Sequence, residues 1–458
     1  GQNAGATHQH SIAIGRNATA NWTNAISIGK DTVANQDHAL AIATKAKASG
    51  VQSIAIGTET NSSAQATVAI GKTAQATGNA AVAVGSDAKA LAQNTVAVGI
   101  HAKASNQRGV AVGTYSEATA DNTVAVGGFS KATSERATAV GLLAKASGES
   151  SFAGGAAANA SGANSIAIGG ATDGSSADSK SAAKAVGAQA IAVGYKSKAE
   201  GVSTIAQGNN ATSKQQSDIA IGSNAAANGT DTPAGSSNAQ NAGTAISIGA
   251  NSVATGVATT SLGQAAKATQ NGAVAIGSLA NATNKAAAAL GRDSLASGES
   301  STALGSGAKA QGQYSFAGSV NANASGTQSI AVGRNATAHS DNSISQGSDS
   351  NAYKESDIAI GTNSVANGSE GVCNKGEKTN PSLPGGGATG CDGSAVALGK
   401  EANATGTNAV AVGVGAKASK KNTTALGSGA NSTIENAVAL GSNSTTSAFV
   451  PTSSGTVG

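Results

Sequence analysis

The sequence predicts an all-β fold, a parallel β-solenoid of 14-residue coils, and three observations lead there. The string Ser11-Ile12-Ala13-Ile14-Gly15 returns as Ala25-Ile26-Ser27-Ile28-Gly29 and Ser53-Ile54-Ala55-Ile56-Gly57, always in steps of 14. β-Branched residues alternate with small ones around each return, which is a strand period and not a helical one. A Gly closes nearly every return, and Gly at that density opposes helix. Units that recur at a fixed short spacing stack each on the next, so the chain winds as a solenoid.

Composition excludes the ordinary alternatives. The 458 residues include 62 Gly, no Met and 2% aromatics, and only 11% are charged, against about 25% in a typical globular domain. So few bulky side chains cannot fill conventional cores, yet Val and Ile recur too regularly for a disordered chain. No apolar run is long enough for a membrane-spanning helix, and no direct membrane insertion is expected of this segment. The net charge of +4 argues against nucleic acid as a partner. With no leader and no initiator Met, the sequence reads as a segment of something longer.

The repeat is written S-[IV]-A-[IVL]-G-x-x-A-x-A-x-G-x-x, with its Ser as position 1. Gly at position 5 marks the frame from Gly15 to Gly169, with Ala43 standing in once. The frame resumes at Gly194 to Gly222, at Gly249 to Gly361 with Ser319 standing in, and at Gly399 to Gly441. Positions 2–4 form one strand and the alternating stretch around positions 8–10 a second, with turns between. Two heptads also make 14, but coiled-coil apolar residues stand three and four apart, and here they stand two apart.

Side-chain alternation then divides the faces. The reading places Ile or Val at positions 2 and 4 in the core, met by the alanines of positions 8 and 10. It turns position 3 outward, as a strip of Ala and Ser that nothing in the chain covers. Two β-branched side chains per coil are little burial against the ordering of fourteen residues. An obligate oligomer joined through Ala55, Ala69, Ala83, Ala97, Ala111 and Ala125 is therefore expected. Phe152 and Phe316 at position 2 each accompany a Gly at position 4, Gly154 and Gly318, a volume exchange expected of a packed interior.

The frame breaks at turns, with insertions near 172–182, 230–242 and 369–392. Such insertions leave the ladder intact and bulge outward. The third holds the only cysteines, Cys373 and Cys391, which suggests a disulfide and an oxidising compartment. It also carries Lys375 and Lys378 and is the best single place for a specific contact. Residues 1–446 form the repeat region, and 447–458 an exit segment.

The motif, repeated over nearly the whole chain, resembles the head repeats of trimeric autotransporter adhesins, the YadA-like group. The resemblance implies a left-handed parallel β-roll, a homotrimer, and a place on the surface of a Gram-negative bacterium. Anchoring there would come through an outer-membrane region outside this segment. It also implies adhesion to host extracellular matrix of the collagen, fibronectin or laminin type or to cell-surface receptors, a role in virulence, and autoaggregation. The insertions depart from the plain repeat, so no single relative's partner carries over.

Other candidates are weaker. Position 9 forms a solvent-facing column that includes Lys89, Lys103, Lys131 and Lys145. It reads as a solubilising face or as an electropositive stripe for acidic ligands. Asn61, Asn159, Asn281, Asn323, Asn403 and Asn431 share that column as candidate amide ladders. Gln207 and Gln346 at position 4 read as buried, hydrogen-bonded polar rungs. The five His are scattered, no acid–base–nucleophile set gathers, and neither catalysis, a metal nor a cofactor is expected. An ice- or abiotic-surface-binding solenoid is the alternative. It calls for a regular Thr column, where position 9 mixes Lys, Asn, Thr, Val and Glu.

Overall fold

The computed structural model describes residues 1–171, 181–229, 244–368 and 394–448. They divide into two units, one running from Gly1 to Asn228 and one from Ala245 onward. Both have the same construction. Every coil contributes a three-residue strand, such as Val82–Val84 or Ile330–Val332, and a two-residue strand, such as Lys89–Ala90 or Thr337–Ala338. Each kind pairs with its counterpart one coil on, parallel and in register. Val82 lies beside Val96 and Ala83 beside Ala97, and Lys89 beside Lys103. Each unit is thus a parallel β-solenoid with a long-strand sheet and a short-strand sheet back to back. Among the described residues there is no helix.

Two expectations about the frame hold in register. Across 172–180 the ladder continues, with Ile166 beside Ile191 and Asn159 beside Lys184. Across 369–393 it continues again, with Ile358 beside Val396. The insertions themselves, with Cys373, Cys391, Lys375 and Lys378, lie outside the described residues.

The face assignment is reversed. Ala55, Ala69, Ala83, Ala97, Ala111 and Ala125 are all fully buried within their own chain, so they are core residues and cannot be an interface strip. Positions 1, 3, 8 and 10 point inward and are Ala, Ser or Thr almost throughout, with Gly109, Asp218 and Asp357 the departures, all at position 1. Positions 2 and 4 point outward; Ile14 remains 57% exposed and Leu304 50%. Alternation fixes that position 3 opposes 2 and 4, but not which side is inside. A coil of only fourteen residues brings its two sheets so close that methyl-sized groups fill the gap, and Val or Ile there would overpack it.

The buried hydroxyls explain why Ser and Thr are admitted to this core. Thr95 Oγ1 donates to the Ala92 carbonyl at 2.6 Å, and Ser116 Oγ to the Gly113 carbonyl at 2.9 Å. The same i to i−3 bond recurs at Thr123, Ser130, Ser151 and Thr204. Each satisfies a buried polar group on the turn that leads into it.

Gly at position 5 is required twice over. Gly99 has φ of +131°, and a Cβ there would stand 2.6 Å from the carbonyl oxygen of Gly113 in the next coil. Positions 7 and 14 also take positive φ, near +57°, with ordinary residues such as Asn17, Asp87, Asn94 and Asn122. Asn and Asp tolerate this left-handed region best, which accounts for their abundance at the corners.

Candidate assembly and adhesion surfaces

The solenoid presents two unlike faces. Outward from the long strands stand Ile, Val and Leu of positions 2 and 4, repeated in register coil after coil, as in Val96–Val98 beside Val110–Val112. This is a predominantly apolar sheet face in each unit, interrupted by Thr138, Thr260, Thr302 and Thr424 at position 2 and by Gln207 and Gln346 at position 4. Repeated apolar surface of that kind marks an interaction site. The Phe–Gly exchange lies here and not in a core. A Cβ on Gly154 would stand 2.8 Å from Phe152 Cε1, and one on Gly318 would stand 2.7 Å from Phe316 Cε1. Each ring therefore lies over the bare backbone of its Gly and covers it. Gln207 and Gln346 are likewise exposed on this face, not buried, because position 4 is an outer position.

Outward from the short strands stands position 9. Lys89, Lys103, Lys131 and Lys145 occupy it as the sequence reading expects, and Lys184 belongs to the same column. The column is not uniformly positive. Glu117 stands between Lys103 and Lys131 and binds Lys131 Nζ at 3.1 Å, while Asp87 lies 3.8 Å from Lys89 Nζ. Lys45, Lys47, Glu59, Thr60 and Asn61 line an open cleft of about 320 Å³ on this side.

The position-9 asparagines make no amide ladder, because no two are neighbours. Asn159 lies between Lys145 and Lys184, and Asn281 between Lys267 and Leu295. The Oδ1 atoms of Asn159, Asn281, Asn323 and Asn403 have no hydrogen-bond partner among the described residues. Amide ladders form instead at the left-handed corners, where like residues do stack. Asn408 donates to Asn422 at 3.2 Å and Asn422 to Asn436 at 2.9 Å, and Asn321 to Asn335 to Asp349 repeats the pattern.

Two features escape a reading by residue type. At position 7, His101 stacks on Tyr115 at 4.6 Å between ring centroids and Tyr115 on Phe129 at 5.1 Å, with Asp87 holding His101 Nδ1 at 2.9 Å. Tyr115 and Phe129 stay 44% and 46% exposed, beside Ile100 and Leu142. Reading position 7 down the column, at residues 101, 115 and 129, would have found it. The second feature is a buried carboxylate at position 1. Asp357 Oδ1 accepts from the Ala395 amide at 2.7 Å, and its Oδ2 from those of Lys354 at 2.9 Å and Gly368 at 3.2 Å. It thus ties together the two chain ends on either side of 369–393. Burial pushes its carboxyl above the usual range, against the pull of those three amides and of Lys354. Asp218, also buried at position 1, accepts from the Gln215 amide at 2.8 Å.

Among the described residues no three His, Cys, Asp or Glu gather to hold an ion. The surface is a lattice of side chains repeated coil after coil.

The YadA head domain repeat, a family model spanning two copies, matches this chain in succession. In the N-terminal unit the matches run from 1–21 and 23–42 through 146–172, then 185–211 and 199–225. In the second unit they run from 254–280 and 282–308 through 352–372, 393–416 and 418–444. The chain belongs to the YadA head family. Among solved structures, this chain is similar to the crystal structure of the collagen-binding domain of the Yersinia adhesin YadA. The two share 24% identity over 41% of this chain and 82% of that one, with a TM-score of 0.20. No curated protein sequence matches this chain.

Proposed function

We propose that this YadA head acts as a homotrimer on the outer surface of a Gram-negative cell, attaching it to host extracellular matrix or cell surfaces. Its role is that of an adhesin, without catalysis. The division of its surface carries the reading: one sheet is an apolar ladder, and the other is a polar array of lysine, asparagine and threonine. Three copies with their long-strand sheets turned to a common axis would bury the apolar ladders. The short-strand sheets would then be left outward, displaying every contact three times per level.

Each contact on such a lattice is shallow, so attachment comes from number; linked sites raise avidity by orders of magnitude without any new contact. Lys89, Lys103, Lys131 and Lys145 supply an electrostatic component that salt screens. Attachment to collagen-, fibronectin- or laminin-type matrix or to receptors, and self-association between cells, are the forms this adhesion would take.

Solid-phase binding of the purified head to collagen, fibronectin, laminin and whole cells tests the reading. Saturable binding to at least one, weakened several-fold when the four lysines are changed to Gln, is expected. No binding to any of them, and no aggregation of cells displaying the head, would sink it.

A further inference from the structure

We propose that Gln207 and Gln346 set the register in which sister copies pack along the apolar face; the inference rests on the trimer proposed above. A solenoid of near-identical coils has a problem that globular subunits do not. Sliding one copy along another by one coil, about 4.8 Å, brings up an almost unchanged surface. Apolar contact is non-directional, so staggered assemblies compete with the aligned one.

Departures from the repeat are what can break that degeneracy. At position 4 every residue of the described coils is Ile, Val or Leu except Gly154, Gln207, Gly318 and Gln346. The two glycines keep the face apolar, since the Phe152 and Phe316 rings cover them. At position 4 only the two glutamines are polar, one in each unit. Position 2 adds Thr138, Thr260, Thr302 and Thr424 to the same face, whose short hydroxyls carry no amide to pair with a sister copy. Gln207 lies between Val193 and Ile221, and Gln346 between Val332 and Ile360. Both side chains are exposed, and neither side-chain amide has a hydrogen-bond partner among the described residues.

An amide carries both donors and an acceptor, so copies of the same Gln at one level satisfy each other around an axis. A slip by one coil sets each amide against Val or Ile of its neighbour, buried and unpaired. The aligned assembly is thus selected by what the staggered ones lose, as a single buried Asn selects the register of a coiled coil. Apolar rungs supply the attraction, and the two glutamine rungs choose among its equivalent forms.

Disulfide mapping of the full chain tests this. Chains carrying Val84→Cys and Val112→Cys, which stand two coils apart, are co-expressed, and intermolecular links are identified by peptide mass. An 84–112 link reports a slip by two coils, which takes each amide away from its sister amide just as a one-coil slip does. In the parent, 84–84 and 112–112 links should exceed 84–112 links by at least about tenfold, the factor a single unpaired buried amide sets. In a Gln207→Leu/Gln346→Leu background, with strand circular dichroism unchanged, that ratio should fall towards one. An unchanged ratio overturns the proposal and passes the register to the Phe rungs. A parent that stays monomeric in sedimentation overturns the trimer itself. A second variant, Gln207→Glu/Gln346→Glu, sets like carboxylates at one level and should assemble at pH 4 but at least about tenfold more weakly at pH 7, since repulsion then acts. Equal assembly at both pH values also counts against the proposal.

Discussion

Asp357 stands where the repeat normally places Ala, Ser or Thr, and its three backbone partners show why a carboxylate is kept there. Asp357→Asn keeps the acceptor facing Ala395 but turns an amide NH2 towards the Lys354 and Gly368 donors when the acceptor is so placed. A loss of about 1–3 kcal/mol is expected, read by denaturant unfolding and by faster proteolysis between residues 369 and 393. The pH dependence has a definite sign. A carboxyl raised by burial contributes stability that is full below the ordinary Asp range and lost as pH climbs through the raised value. The gap in melting midpoint between wild type and Asp357→Asn should therefore widen on acidification, and a gap that narrows would reverse the assignment. Ser116→Ala illustrates the opposite case. The Gly113 carbonyl also accepts from the Ser116 amide, so losing the hydroxyl orphans nothing, and the change should stay within about 0.5 kcal/mol. Gly99→Ala, by contrast, meets both positive φ and the Gly113 carbonyl, and should cost at least about 1–3 kcal/mol in the same measurement.

The long strand is where the reversed face matters most. Ala97 is fully buried while Val96 and Val98, its neighbours in the same strand, face outward. Ala97→Asp should therefore destroy the strand signal in circular dichroism, because an unpaired charge enters a core of methyl groups. Val98→Asp should leave that signal intact and lower the sedimentation mass instead. If Ala97→Asp dissociated the copies while leaving the strands folded, position 3 would be the interface after all. The stacked column of His101, Tyr115 and Phe129 lies at the corner following such strands, and replacing Tyr115 with Ala should leave both signals unchanged.

For the whole molecule, repetition is both the means of stability and the origin of its ambiguity. Each coil contacts only its neighbours, so stability accumulates unit by unit and damage stays local. The same repetition gives sister chains no unique alignment unless rare residues impose one. Adhesion from such a molecule is a sum of weak contacts. A head shortened by whole coils should therefore lose matrix affinity progressively, and an abrupt loss would point to a single epitope.

Much of this was legible in the sequence. The spacing of Gly15, Gly29, Gly57 and their successors determined the coil, its two strands and the turns between them, because one backbone constraint recurs wherever the chain meets the next coil. It also determined which residues share a face, since side-chain alternation is a property of any strand. What only the tertiary structure decided is which face is the interior. Hydrophobicity placed Ile and Val inside, but the distance between the two sheets admits small side chains, Ala, Ser and Thr nearly everywhere, and that distance is set by the closure of the whole coil. The bonds from Asp357 to Gly368 and Ala395 were equally beyond reach, because they join chain segments that are distant in sequence and adjacent only after the solenoid has closed around the insertion.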